Sequence, residues 1–414
     1  MGAQNTLRRR LLRISTALAV LGFCVVFGVG LLLASLWLEH SFWVTLPKPT
    51  GPFAVGRVVY DWVDDKTVDT LAPLRGTKRE LLVWIWYPAA AGQSAAMDDY
   101  FPAPLRTAIA HQTGFLLSHF LTRDLSKVRG HSVRNADVSL EQQSYPIVIM
   151  RAGASLEVAS YSALAEDLAS HGYVVVGVDA PYRTGIVAFP DGRVITRTPE
   201  NNPELVSGEE LTRLANRLLD AWTADIAFVL DRLERLNRSD PTGKFTGRLD
   251  MTRVGLFGHS FGGAQAAQFC SQDSRCKAVI DVDGSLHGSV IQNGLHQPSM
   301  FLGSSQGDFS SNAEVRQILA DLHSVYDRLP ADKRLWVTIR GANHFTFSDD
   351  GAMLKSHIVR GVLRAAGKLG IDGDRQLAIT AYCLRTFFDA YVKESAVSPV
   401  QISSPLYPEI QVLE

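Results

Sequence analysis

Arg253-Val-Gly-Leu-Phe-Gly-His-Ser-Phe-Gly-Gly-Ala-Gln265 reads as a buried strand that turns sharply into a helix. Val254, Leu256 and Phe257 supply the apolar run of a strand covered on both faces, and Phe261 to Cys270 continues as a helix. Between them, Gly258-His-Ser-Phe-Gly262 fits G-x-S-x-G. A serine at the apex of such a turn has strained backbone angles, and the residues two positions away must lack bulk for the turn to close. The helix start then aims backbone N–H groups at the space before the hydroxyl, where a developing oxyanion is stabilised. Glycines also close turns for packing alone. The strand before the motif and the helix after it are what make Ser260 a candidate nucleophile.

Outward from this turn, short apolar runs alternate with helical periods. Pro146-Ile-Val-Ile-Met150 and Tyr173-Val-Val-Val-Gly-Val178 read as strands, with a helix from Tyr161 to His171 between them that stops at Gly172. Glu209 to Leu236 is helical in period. Ala278 to Val282, Ser299 to Gly303 and Leu335 to Arg340 are further strands, and Ala313 to Leu329 and Leu377 to Val392 further helices. Val55 to Val63 and Leu81 to Tyr87 read as an antiparallel pair. Strands that alternate with helices require a mostly parallel sheet with helices on both faces, and ligands bind beyond the carboxyl ends of its strands. With the serine turn on one of those ends, the expected architecture is the α/β-hydrolase fold.

In that fold the acid follows the serine along the chain and the histidine follows the acid. His287, His296, His323, His344 and His357 are downstream of Ser260. His344, in Gly-Ala-Asn-His-Phe, sits just beyond the strand that ends at Arg340, where a base on a strand-end loop belongs; His323 and His357 lie in helical stretches. His344 is the expected general base. The acid has three candidates: Asp283, which ends the strand Ala278 to Val282; Asp308, after the next strand; and Asp281, deeper on the face of Asp283.

The chain of 414 residues, 46% hydrophobic and 20% charged, can bury a large core. Forty-one Lys and Arg against forty-two Asp and Glu leave a formal net charge of -1, so no global field favours nucleic acid. No spacing matches a metal site and no glycine-rich dinucleotide loop follows the first parallel strand, so no cofactor is expected. Arg8, Arg9, Arg10 and Arg13 precede an uncharged stretch from Ile14 to Leu38. Twenty-five residues at about 1.5 Å each cross a hydrocarbon core of about 30 Å with some tilt. The expected organisation is a cytoplasmic basic segment (1–13), an uncleaved transmembrane signal-anchor (14–38) and an exported catalytic domain (45–414), oriented by the positive-inside rule. Cys24 then lies in the membrane and Cys383 in the core. Cys270 and Cys276, six apart around a helix-to-strand turn, are expected to form a disulfide in an oxidising compartment.

A set of motifs resembles the lipoprotein-associated (plasma-type) platelet-activating-factor acetylhydrolases and their bacterial relatives. They are Gly51-Pro-Phe-Ala-Val-Gly56, Trp86-Tyr-Pro88, Asp167-Leu-Ala-Ser-His-Gly-Tyr173, Gly258 to Gly263, Ile280-Asp-Val-Asp283, Ile339-Arg-Gly-Ala-Asn-His344 and Phe347-Ser-Asp349, in family order. The resemblance implies calcium-independent hydrolysis of short or oxidised acyl esters, including phospholipid sn-2 acyl groups. It implies a triad of Ser260, Asp283 and His344, and oxyanion donors at the backbone N–H groups of Phe261 and Ala154. The family carries a His-Gly pair before the second donor, whereas this chain has Arg151-Ala-Gly-Ala154.

Three function classes follow. The first is acyl-ester hydrolysis through an acyl-serine, with a small-molecule or lipid ester as substrate. The second is a broad carboxylesterase, polyester-cleaving or dienelactone-hydrolase-like enzyme with the same machinery and a different pocket. The third is a membrane-anchored binding protein without chemistry, which the presence of all three triad residue types argues against. An apolar face within Phe101 to Leu121 is read as a lid helix that covers the acyl pocket or rests on the bilayer next to the anchor, with core packing as the plain alternative. Tyr182 to Val206 is a further strand-end loop near the pocket.

Overall fold

Eight strands form the centre of one sheet: β1 (Ala54–Val68), β2 (Lys78–Ala89), β3 (Tyr145–Arg151), β4 (Val174–Asp179), β5 (Leu249–His259), β6 (Cys276–Val282), β7 (Ser299–Ser304) and β8 (Arg334–Ile339). The computed structural model describes residues 2–92, 97–154, 156–304, 313–355, 357–367, 369–394 and 400–413. The strands lie in the order β1-β2-β4-β3-β5-β6-β7-β8. β2 is antiparallel to β1 and to β4, and the remaining neighbours are parallel. Four further strands extend the sheet beyond the sequence reading: Val128–Arg134 pairs parallel with β1 and is itself flanked by the short strands Val44–Thr45 and Met97–Asp99, and Ile410–Leu413 pairs antiparallel with β8. Val128–Arg134 and Ile410–Leu413 carry alternating or polar sequence of the kind that also suits a loop, and the other two are only two or three residues long.

β3 shows why the central runs are apolar throughout. Successive side chains point to opposite faces, so a strand covered on both sides needs an apolar residue at every position. Ile147 and Ile149 pack with Leu218, Trp222 and Ile226 of the helix Gly208–Arg238 and Phe269 of the helix Phe261–Gln272. Val148 and Met150 face the other way, onto Leu164 and Leu168 of Ser162–Ser170 and Phe388 of Gly373–Tyr391. Each such side chain, fully buried, contributes roughly 1.5–3 kcal/mol. Two cores result, one on each face, and the strand ends between them stay open for a site.

Cys270 and Cys276 are joined as a disulfide across the turn between the helix Phe261–Gln272 and β6, with Cα atoms 5.2 Å apart. Cys383 is a buried free thiol and Cys24 is exposed on the N-terminal helix. Within 101–121, Phe101 and Leu105 are buried, whereas Phe115, Leu116 and Leu121 are exposed. The two readings of that segment thus divide it: its start is core, whereas Phe115, Leu116 and Leu121 around the π turn Leu117–Leu121 are exposed. Tyr182 to Val206 holds a small hairpin, Ile186–Ala188 with Val194–Thr196.

The N-terminal helix runs from Gly2 to His40 and so includes the basic residues expected to precede it; arginine is a good helix former. From Leu11 to His40 it is long and apolar enough to cross a membrane, and its residues from Leu11 to Ser35 are exposed, whereas Leu36 near its carboxyl end is buried. Its carboxyl end is docked on the rest of the chain. Lys355 Nζ donates to the carbonyls of Leu36 (3.0 Å) and Phe120 (2.9 Å), and Arg123 Nη1 donates to that of Glu39 (3.0 Å). On the helix these cations sit at Leu36 and Glu39, near its carboxyl end, the negative pole of its dipole.

Candidate active site

Ser260 stands between β5 and the helix Phe261–Gln272 at φ 55° and ψ −126°. Its N–H donates to Val282 O on β6 (2.9 Å), and its carbonyl accepts the Gly263 N–H (2.9 Å). The flanking glycines have steric causes: a Cβ at Gly258 would lie 2.1 Å from Gly262 O, and one at Gly262 2.5 Å from the carbonyl oxygens of Arg151 and Ala152. The end of β3 is thereby pressed against the start of the helix, which sets Gly153 and Ala154 beside Phe261 around one narrow cavity. Arg151 holds the same junction. Buried, and stacked over Trp222 with its guanidinium carbon 3.8 Å from the ring centroid, it donates through Nε to Gln265 Oε1 (2.8 Å) and through Nη1 to the Val178 carbonyl.

Asp283 follows β6 at φ 50°, and its N–H donates to Leu302 O (2.7 Å). Its Oδ1 accepts the Ser304 N–H (2.6 Å) and hydroxyl (2.9 Å), and its Oδ2 lies 2.8 Å from His344 Nδ1. Burial pushes this carboxyl up, but the His344 hydrogen bond and the Ser304 donors outweigh it and hold the group below the usual carboxylate range. Asp281 lies two residues earlier on the same face of β6, deeper and fully buried, and burial with the Asp283 charge pushes it up to about 8. Asp308 lies outside the described residues.

His344 begins the turn His344–Phe347 beyond β8. Gln376 holds the loop, accepting the Asn343 N–H (2.9 Å) and donating to the Asn343 carbonyl (2.8 Å). The other histidines sit elsewhere: His287 packs near Phe261 with ring centroids 6.0 Å apart, His323 stacks on Trp336 at 4.5 Å, and His357 starts a helix.

Two residues that sequence reasoning passed over converge here. His259 is buried, with its ring 4.6 Å from that of His344, and its Nδ1 is 2.7 Å from the Tyr161 hydroxyl. Tyr161 Oη in turn accepts the Gly153 N–H (3.2 Å). The place of His259 inside the serine motif was a visible signal; Tyr161 reads only as the start of a helix. Among the described residues, no group of three or more His, Cys, Asp and Glu is placed to hold a metal.

The fold is that of the α/β-hydrolases and the class is a carboxylic-ester hydrolase. A solved ferulic acid esterase from Streptomyces cinnamoneus matches with a TM-score of 0.71 and 26% identity, over 90% of this chain and 99% of that one. Within that class the chain belongs to the family described as platelet-activating factor acetylhydrolase, isoform II, which it matches over residues 39–392. A probable 1-alkyl-2-acetylglycerophosphocholine esterase from Arthroderma benhamiae is 28% identical over 89% of this chain and 94% of its own length. A platelet-activating factor acetylhydrolase from Bos taurus is 26% identical over 73% of this chain and 68% of its own.

Proposed function

We propose that this protein is a membrane-tethered serine esterase that releases short or oxidised acyl groups from lipidic esters, with Ser260 as nucleophile, His344 as base and Asp283 as its orienting acid. The observation that carries the reading is the 2.8 Å bond from His344 Nδ1 to Asp283 at the strand rim where the Ser260 turn sits. With Nδ1–H donated to a carboxylate, the Nε2 lone pair of His344 is left to take the hydroxyl proton of Ser260. Attack on the ester carbonyl gives a tetrahedral oxyanion, met by the N–H groups of Phe261 and Ala154. Its collapse expels the alcohol, protonated by His344, and a water activated the same way releases the acid.

The names of the relatives support a short-acyl glycerophospholipid as the substrate class. A cavity of about 710 Å³ beside the docked end of the N-terminal helix supports a lipidic one: Phe101, Ile109, Ile186, Met353 and His40 line it, and through Leu156 it borders the narrow cavity of Ala154 and Phe261. The uncovered apolar length of that helix supports a bilayer around it, and the arginines before its apolar stretch support a cytoplasmic amino end with the catalytic domain on the far side. The test is turnover of p-nitrophenyl esters from acetate to palmitate and of an sn-2-acetyl phospholipid, with fluorophosphonate labelling. Short-chain turnover, a steep fall at long unoxidised chains, and labelling lost in Ser260→Ala are expected. Flat turnover across chain lengths would favour the broad carboxylesterase, and no labelling would remove the catalytic reading.

A further inference from the structure

We propose that Tyr161 and His259 are a positioning pair that orients the Gly153–Ala154 peptide towards the oxyanion; the inference rests on the esterase reading above. The geometry assigns each proton. Gly153 N–H can only donate, so Tyr161 Oη accepts it at 3.2 Å, and the Tyr161 O–H is left to donate to His259 Nδ1 at 2.7 Å. His259 is therefore the neutral tautomer protonated on Nε2, an atom that is buried without a hydrogen bond. Burial holds the ring neutral, down to about 3, so its Nδ1 remains an acceptor wherever His344 is competent as a base.

The three parts meet at one point. A Cβ built on Gly153 would lie 3.4 Å from Tyr161 Oη and 3.5 Å from both His259 Nδ1 and Ser260 Cβ. The ring of His259 also packs on His344 at 4.6 Å and on Phe347 at 5.6 Å. One imidazole thus touches the nucleophile turn and the base loop, and through Tyr161 it reaches the loop of the second donor. The residue at the end of β3 does not do this work: the Arg151 guanidinium is turned to Gln265 and to the Val178 carbonyl, away from Gly153. Tyr161 holds the Gly153 N–H and the Leu156 N–H donates to the Gly153 carbonyl (3.3 Å), so the Gly153–Ala154 peptide, which carries the Ala154 N–H, is anchored on both sides of Gly153.

The experiment compares Tyr161→Phe, His259→Asn and His259→Leu in the full-length protein. The readouts are kcat and KM for p-nitrophenyl acetate, inhibition by a trifluoromethyl ketone that forms the tetrahedral oxyanion, and thermal midpoint. Loss of a whole oxyanion donor costs about 100- to 1000-fold in kcat, so a misaligned one is expected to cost about 10- to 100-fold. Tyr161→Phe should lose that much in kcat and in ketone affinity, with KM within about threefold and the midpoint little changed. His259→Asn, whose amide oxygen overlays Nδ1, should retain most activity, and His259→Leu should match Tyr161→Phe. Tyr161→Phe with unchanged kcat, or with a loss that spares ketone affinity, overturns the pair. Activity that survives Ser260→Ala would instead overturn the esterase reading itself.

Discussion

At Ser260 and Asp283 the backbone takes φ values of 55° and 50°, a region that costs side-chain-bearing residues about 1–3 kcal/mol each. Asparagine tolerates this conformation, so Asp283→Asn isolates the carboxylate from the turn. It should fold normally yet lose about 10⁴-fold in kcat for p-nitrophenyl acetate, because the amide supports the wrong tautomer of His344. Ser260 and His344 are legible in the sequence because each carries its own local pattern, glycines at fixed spacing or a loop just past a strand. The proposed acid is not legible this way. Asp281 and Asp283 differ only in which one clears the end of β6, and that depends on the Leu302 and Ser304 contacts of a neighbouring strand. Their environments then separate them: Asp283 is held low and Asp281 is raised to about 8. A carboxyl raised in the fold keeps a proton that the unfolded chain releases from about pH 4 upward. Its stabilising share is full below that pH and lost as pH rises through about 8. Glu157, raised to about 8 mainly by burial, has the same sign. Glu157→Gln should therefore raise the thermal midpoint more at pH 8 than at pH 5, and an equal change at both would contradict the buried-proton account.

At the scale of elements, the central strands and the helices between them follow from runs whose period and composition permit only one structure. The outer strand Val128–Arg134 escapes because Arg129, His131 and Arg134 break its pattern; its pairing is set by β1 and by Val44–Thr45, far away in the chain. The nucleophile helix is fastened at both ends, by the Ser260 turn and by the Cys270–Cys276 bond. Cross-linking so short a loop restricts the unfolded chain by roughly 2 kcal/mol in the chain-entropy account. The double variant Cys270→Ser, Cys276→Ser should unfold at a lower temperature, while the wild type in reductant should approach it. Identical midpoints in all cases would mean the bond contributes nothing to stability.

For the whole molecule, the sequence marks the apolar stretch but not its relation to the body of the protein. That relation depends on Lys355 and Arg123, which lie hundreds or scores of residues away and carry no pattern of their own. On the membrane reading, the full chain should pellet with membranes and resist carbonate extraction, and protease added from the extracytoplasmic side should reach the catalytic domain. Recovery of the chain in the soluble fraction, or protection of that domain, would remove the tether or its orientation. Lys355→Ala should leave the chain in the pellet but loosen the domain, read as faster hydrogen exchange at residues 36–40 and 119–124.

A leash lets its passenger swing; a shaft does not. With the helix spanning a bilayer as proposed, the grip of two body side chains on its last turn would keep the mouth of the large cavity at a constant height and facing as the protein diffuses in the membrane plane. Such an enzyme surveys a thin slab of space, and a molecule enters its reach by resting at that depth rather than by being abundant in the surrounding water.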